Sequence, residues 1–209
     1  MNRLFSILVI LCVPVFLMAQ YEDLEPPQHG TEYGIGFTLA MGGFGLGGYY
    51  RHALPGYMGL GVSADFYMMR DDKEYEIYDP YSNFYYQLNK INRLFFIPIH
   101  VELKKRLFPD DIEDNFRPYI VGGAGGVFGM NFPRKTQVEG GDYPRKNEFR
   151  FTLDFYFGFG VDITTNEDYY FSIRPQIRFV QFAQSIAGDR NHSTFEIRLE
   201  LGKRIVTQN

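Results

Sequence analysis

The chain has 209 residues, with 25 Asp and Glu against 21 Lys and Arg for a formal net charge of −4, and a single cysteine. This mild acidity argues against nucleic acid as a partner, and one cysteine rules out an internal disulfide. Aromatic residues make up 18% of the chain, all Phe and Tyr, and the length suits one domain.

Residues 1–19 have the plan of a secretory signal peptide: Arg3, an apolar stretch from Leu4 to Met18, and the small residue Ala19. Cleavage is expected between Ala19 and Gln20. The apolar run is shorter than the ~20 residues of a spanning helix, and Pro14 interrupts it. Cys12 falls inside the signal, so the mature chain has no thiol. Residues 20–30 read as a flexible periplasmic lead-in.

Beyond the lead-in, no segment carries a helical stripe, and turn residues divide the chain into long alternating runs. Strand one is expected over 31–41, with Tyr33, Ile35, Phe37, Leu39 and Met41 on one face, then a Gly42-Gly43 turn. Strand two covers 44–54 and ends at Pro55-Gly56. Strand three covers 57–69, with Leu60, Val62 and Phe66 opposite Gly59, Gly61 and Asp65. A long polar and aromatic loop spans 70–91. Strand four covers 92–107, with Ile97, Ile99, Val101 and Leu103 opposite His100, Glu102 and Lys104, and an acidic turn over 109–115 follows. Strand five covers 116–130, its face obscured by the glycine-rich run 122–126, and a second long loop covers 131–147.

Strand six is the clearest. From Phe149 to Ile163 every odd position is large and apolar, and every even one is polar or small. Period-two alternation sends the two sets to opposite faces of one strand. Strands of soluble proteins average ~5–6 residues, whereas ~9–11 cross a membrane. Strand seven covers 169–183, a loop 184–192, and strand eight places Phe195, Ile197, Leu199 and Leu201 opposite Glu196, Arg198 and Glu200. The connections after strands two, four and six are short, and two of the others are long.

Eight strands, a signal and this loop polarity predict a closed, antiparallel, up-and-down transmembrane β-barrel over 31–206 in the bacterial outer membrane, its apolar face against membrane lipid. On these features the chain resembles the small eight-stranded outer-membrane barrels, and in particular the outer membrane protein beta-barrel domain family that includes PorT-like proteins. The resemblance implies a structural, adhesive or envelope- and secretion-assembly role, without a cofactor. The end of the chain departs from the terminal aromatic residue common in such barrels.

Eight strands enclose just enough room to be filled by side chains. The expected inward set is Asp65, His100, Glu102, Lys104, Arg150, Asp154, Asp162, Arg174, Arg178, Glu196, Arg198 and Glu200. Its near-balance of sign predicts a lumen closed by ion pairs, because buried charges must be paired. Inward glycines on strands one and three make room for long Arg and Tyr side chains. The histidines show no metal-ligand spacing, and no Gly-x-Ser-x-Gly elbow occurs. His192-Ser193 resembles the rim His and Ser of lipid A deacylase barrels, yet neighbours on a strand point to opposite faces. A lipid-modifying enzyme and a soluble periplasmic lipid-binding barrel are therefore the alternatives. The loop 70–91 is the candidate contact surface for a protein or glycan: Tyr75, Tyr78, Tyr81, Phe84, Tyr85 and Tyr86 offer large contact area at low entropic cost.

Overall fold

The structure is a computed structural model that describes residues 30–70, 75–88, 92–109, 111–112, 115–133, 137–138, 141–142, 146–164 and 168–206. The expected signal peptide, its cleavage point and the lead-in up to residue 29 lie outside these residues. Eight wall strands run β1 Gly30–Ala40, β2 Gly43–Leu54, β3 Met58–Met69, β4 Leu94–Arg106, β5 Phe116–Asn131, β6 Glu148–Thr164, β7 Tyr169–Ile186 and β8 Thr194–Val206. Each pairs antiparallel with its sequence neighbour, and β8 pairs with β1 to close the sheet. Closure leaves no wall strand with an open edge, as hydrocarbon surroundings require.

The register has a stagger. Thr31 lies opposite His52, which leads through Leu60, Leu103, Gly122, Phe157 and Ile177 to Phe195. The Phe195 carbonyl then accepts from the Met41 N–H, ten positions along from Thr31. Such a stagger tilts the strands and sets the barrel's bore.

The alternation seen in the sequence is a division between outside and inside. Phe151, Leu153, Phe155, Phe157 and Phe159 of β6 point outward, with Leu153 75% exposed. Ile99 and Val101 on β4, Ile177 and Phe179 on β7, and Ile197 and Leu201 on β8 extend the same apolar surface around the barrel. Aromatic rings pack across strands on this surface: Phe155 stacks on Phe179 with centroids 4.8 Å apart, and Phe128 meets Phe151 at 4.9 Å.

Several boundaries differ from the sequence reading. The first turn is Met41-Gly42, because Ala40 and Gly43 are already a ladder pair. The stretch expected as a plain loop over 70–91 contains a hairpin, Tyr75–Asp79 paired with Phe84–Leu88. Asn83, in its connection, takes a left-handed φ of 53°, a conformation Asn tolerates better than most residues. Strand seven runs on to Ile186, turns at Ala187-Gly188 and returns as Asp189–Asn191. Both turn residues have positive φ, as a tight hairpin requires. Pairing shifts register between Gln181 and Ile186, and this bulge carries Ile186 and Ala187 into buried positions.

Candidate functional site: the lumen and the outer hairpin

The glycine run of β5 does not break its alternation: Tyr119, Val121 and Val127 are buried in the lumen while Phe128 faces outward. Space inside comes from residues without side chains. A Cβ on Gly36 of β1 would lie 2.5 Å from the Arg198 guanidinium, and one on Gly61 of β3 would meet the Arg51 side chain at 2.6 Å. The expected glycine niches on strands one and three are thus present, and Gly123 of β5 makes another beneath the Tyr156 ring.

Eleven of the twelve residues expected inside are buried: Asp65, His100, Glu102, Lys104, Asp154, Asp162, Arg174, Arg178, Glu196, Arg198 and Glu200. Arg150 is the exception. It lies at the loop end of β6, half-buried, and donates to the Phe149 carbonyl at 3.0 Å. The barrel mouth lets it reach the neighbouring backbone, so it does not take the expected place in the lumen, and it makes no ion pair with Asp154 among the described residues. The Asp154 carboxylate meets His100 Nε2 at 2.6 Å and Arg178 Nη1 at 3.2 Å.

The charges form connected layers. Towards the loop end, Arg178 bonds Glu196 at 2.9 Å and the Tyr67 hydroxyl at 2.9 Å, and Gln176 donates to Glu196 at 2.6 Å. Beside them Arg198 reaches Asp65 at 2.6 Å and Glu200 at 2.8 Å. Arg174 lies 3.4 Å from Glu200 and 3.7 Å from Glu102. Towards the chain termini, Lys104 bonds Asp162 at 2.6 Å and lies 4.2 Å from the centre of the Tyr119 ring. Arg204 pairs with Glu32 at 2.8 Å. Charge-assisted bonds of this kind offset the desolvation of each ion only when both partners are present.

The hub of the network is Arg51, which the sequence reading did not single out. Its Nε donates to Glu102, its Nη2 donates to both Glu200 oxygens at 2.9 Å, and its guanidinium lies 4.0 Å from the centre of the Tyr49 ring. Glu102 also accepts from the Tyr156 hydroxyl. The signal was present in β2: counting alternate positions onward from Gly45 and Gly47 reaches Tyr49 and Arg51, but the doubled Gly47-Gly48 and Tyr49-Tyr50 hide the period.

The loop end of the lumen is apolar, which the sequence reading also missed. Leu94, Phe96, Val127, Val180, Phe182, Ile186 and Ala187 pack together above the ionic layers, joined by Tyr67. The inward-bent hairpin is pinned there by the Ala187 N–H, which donates to Glu148 Oε2 at 2.7 Å. His192 sits edge-on to Phe96, centroids 5.1 Å apart, and its Nε2 lies 3.3 Å from the Asp189 carbonyl. Ser193 instead bonds the Val180 N–H and Asn191 Oδ1. The rim His and Ser are thus engaged with different partners.

On the outer hairpin, Tyr78 and Tyr81 are exposed, Tyr81 at 99%, and the Tyr78 hydroxyl donates to Asn83 at 2.7 Å. The side chains of Tyr75, Phe84, Tyr85 and Tyr86 lie outside the described part. Among the described residues no group of three His, Cys, Asp or Glu is placed to hold a metal ion.

No family model and no curated protein matches the sequence. Solved structures do match. The N-terminal β-barrel domain of Pseudomonas aeruginosa OprF superposes with a TM-score of 0.54 at 10% identity, covering 86% of this chain and 99% of that one. Neisserial surface protein A gives 0.52 at 10% identity over 89% and 100%. Outer membrane protein OprG from Pseudomonas aeruginosa gives 0.52 at 12% over 87% and 98%. The fold is the one these outer-membrane barrels share. It is carried by strand number, closure and alternation, since so few residues are identical.

Proposed function

We propose that this chain is an outer-membrane β-barrel protein with a structural, adhesive or envelope- and secretion-assembly role, acting through its outer surface rather than its lumen. The wall spans the bilayer with the chain termini in the periplasm. The observation that carries this reading is the inverted polarity of the molecule. Large Phe, Leu and Ile side chains cover the outside, while Arg51, Arg174, Arg198, Glu102, Glu196 and Glu200 are among its most completely buried residues. Water on the outside would penalise that arrangement at every row, whereas lipid favours it.

The lumen supports a closed role. Ionic layers fill the middle of the lumen and the apolar layer caps them at the loop end, so the described residues leave no path through, and the cavity of ≈ 100 Å³ at the termini end is bounded by the charged Glu32, Lys104, Asp162 and Arg204. Recognition is then left to the outer hairpin and its tyrosines. The PorT-like resemblance belongs to the same proposal and rests on strand count and alternation. Two measurements test the reading. The protein should fractionate with the outer membrane and migrate faster on an unheated gel than after boiling. In a planar bilayer it should give no large steady conductance; a stable porin-sized current would overturn the closed lumen.

A further inference from the structure

Among the described residues, the outward face of the wall carries a polar row near the termini end. Lys203 of β8 has Tyr33 of β1 and Tyr169 of β7 as its register partners on either side, which makes a Tyr–Lys–Tyr row across three strands. Two positions before it on β8, Leu201 has Ile35 and Phe171 as partners, an apolar row about 7 Å away along the strand and deeper in the wall. A groove of ≈ 540 Å³ runs over both rows. Lys203 is one-third exposed, with its Nζ 3.5 Å from Asp168 and 5.4 Å from the centre of the Tyr169 ring.

We infer that this groove holds one anionic phospholipid of the periplasmic leaflet, its phosphate on Lys203 and the flanking tyrosine hydroxyls, and an acyl chain along Ile35, Leu201 and Phe171. The order of the rows selects the occupant. A cation and two hydroxyl-bearing rings stand at headgroup level, and a purely apolar row stands at chain level beneath them. A protein partner would need no such vertical order, and a free anion would leave the apolar row uncovered. Asp168 is the competing ligand for Lys203, and at 57% side-chain exposure it is free to give way to a phosphate.

This inference rests on the membrane-spanning reading above, and one experiment separates the two. The protein is folded into vesicles of phosphatidylethanolamine and phosphatidylglycerol, extracted in mild detergent, and weighed by native mass spectrometry. One retained phosphatidylglycerol per barrel is expected. Lys203→Gln should lower that retention about fivefold, the effect of one near-surface lysine, while keeping the unheated gel shift. Asp168→Asn should raise it by freeing the lysine, and Lys105→Gln, on another strand, should leave it unchanged. Equal retention by K203Q, lowered retention by D168N, or lipids kept in vesicle proportions would overturn the site. Failure of the wild-type chain to enter vesicles at all would overturn the membrane reading itself, and the site with it.

Discussion

Replacing Arg51 by Met removes the cation that joins Glu102 to Glu200. The guanidinium holds Glu102 and both oxygens of Glu200, and it is 1% exposed. Methionine is close to it in length and introduces no steric clash, so the change isolates charge. Glu102 would then rest on Arg174 alone, at 3.7 Å, while Glu200 would keep Arg198 at 2.8 Å and Arg174 at 3.4 Å. Removing one partner of a buried pair costs about 3–5 kcal/mol, which corresponds to roughly a hundred- to several-thousand-fold in the folding equilibrium. The double variant R51M/E200Q removes one charge of each sign and should recover more than half of the loss, because Arg198 keeps Asp65 and Arg174 keeps Glu102. The assay is a urea titration of protein folded in vesicles, with the folded fraction read from the unheated gel. A single variant within about 1 kcal/mol of the parent, or a double variant no better than the single, would refute the claim that Arg51 organises the network.

On the outer face, Phe155→Arg places a charge against lipid beside Phe179 and should cost about 2–4 kcal/mol in the same titration, whereas Asn83→Arg disturbs only the hairpin, at its left-handed turn and its Tyr78 bond, and should leave the barrel's midpoint unchanged. Gly36→Val forces a side chain into the space of the Arg198 guanidinium and should cost about 1–3 kcal/mol; a parental midpoint would mean that the arginine swings clear. Deleting residues 73–88 should leave a heat-modifiable barrel, because Met69 and Leu94 already pair at the top of β3 and β4 without the hairpin. On the proposed outer-surface role the same deletion should abolish any partner binding that the intact protein shows, and loss through Asp154 or Arg174 variants instead would move the active part to the lumen.

Strands whose alternation was unbroken were legible before any coordinates. β6 is the example: its expected bounds of 149–163 differ by one residue at each end from Glu148–Thr164. The buried charges on β4, β6, β7 and β8 followed from the same parity. Legibility failed where neighbours are alike. In Leu94-Phe95-Phe96 the parity of strand four puts Phe95 outward, but the residues left to face inward are as apolar as those facing out, so the pattern did not mark the apolar cap. Gly47-Gly48-Tyr49-Tyr50 hid Arg51 for the same reason. The inward bend at Ile186 depends on a bulge, which no period-two pattern encodes. Arg150 had the right parity but too high a level, and level follows from tilt and register rather than from alternation.

The lumen bonds tie together residues far apart in the chain: Arg51 to Glu200 spans 149 positions, and Arg198 to Asp65 spans 133. Those carboxylates therefore cannot find their arginines until β8, the last strand made, is in place against β1. Every earlier stage of assembly has these charges exposed and hydrated, in a half-open sheet that hydrocarbon would not accept. Water must consequently accompany the growing sheet and leave as the final seam closes, which makes drying of the interior the committing step of assembly. Loss of β8 is then expected to leave no smaller barrel behind, only an open sheet with unpaired edges and stranded charges.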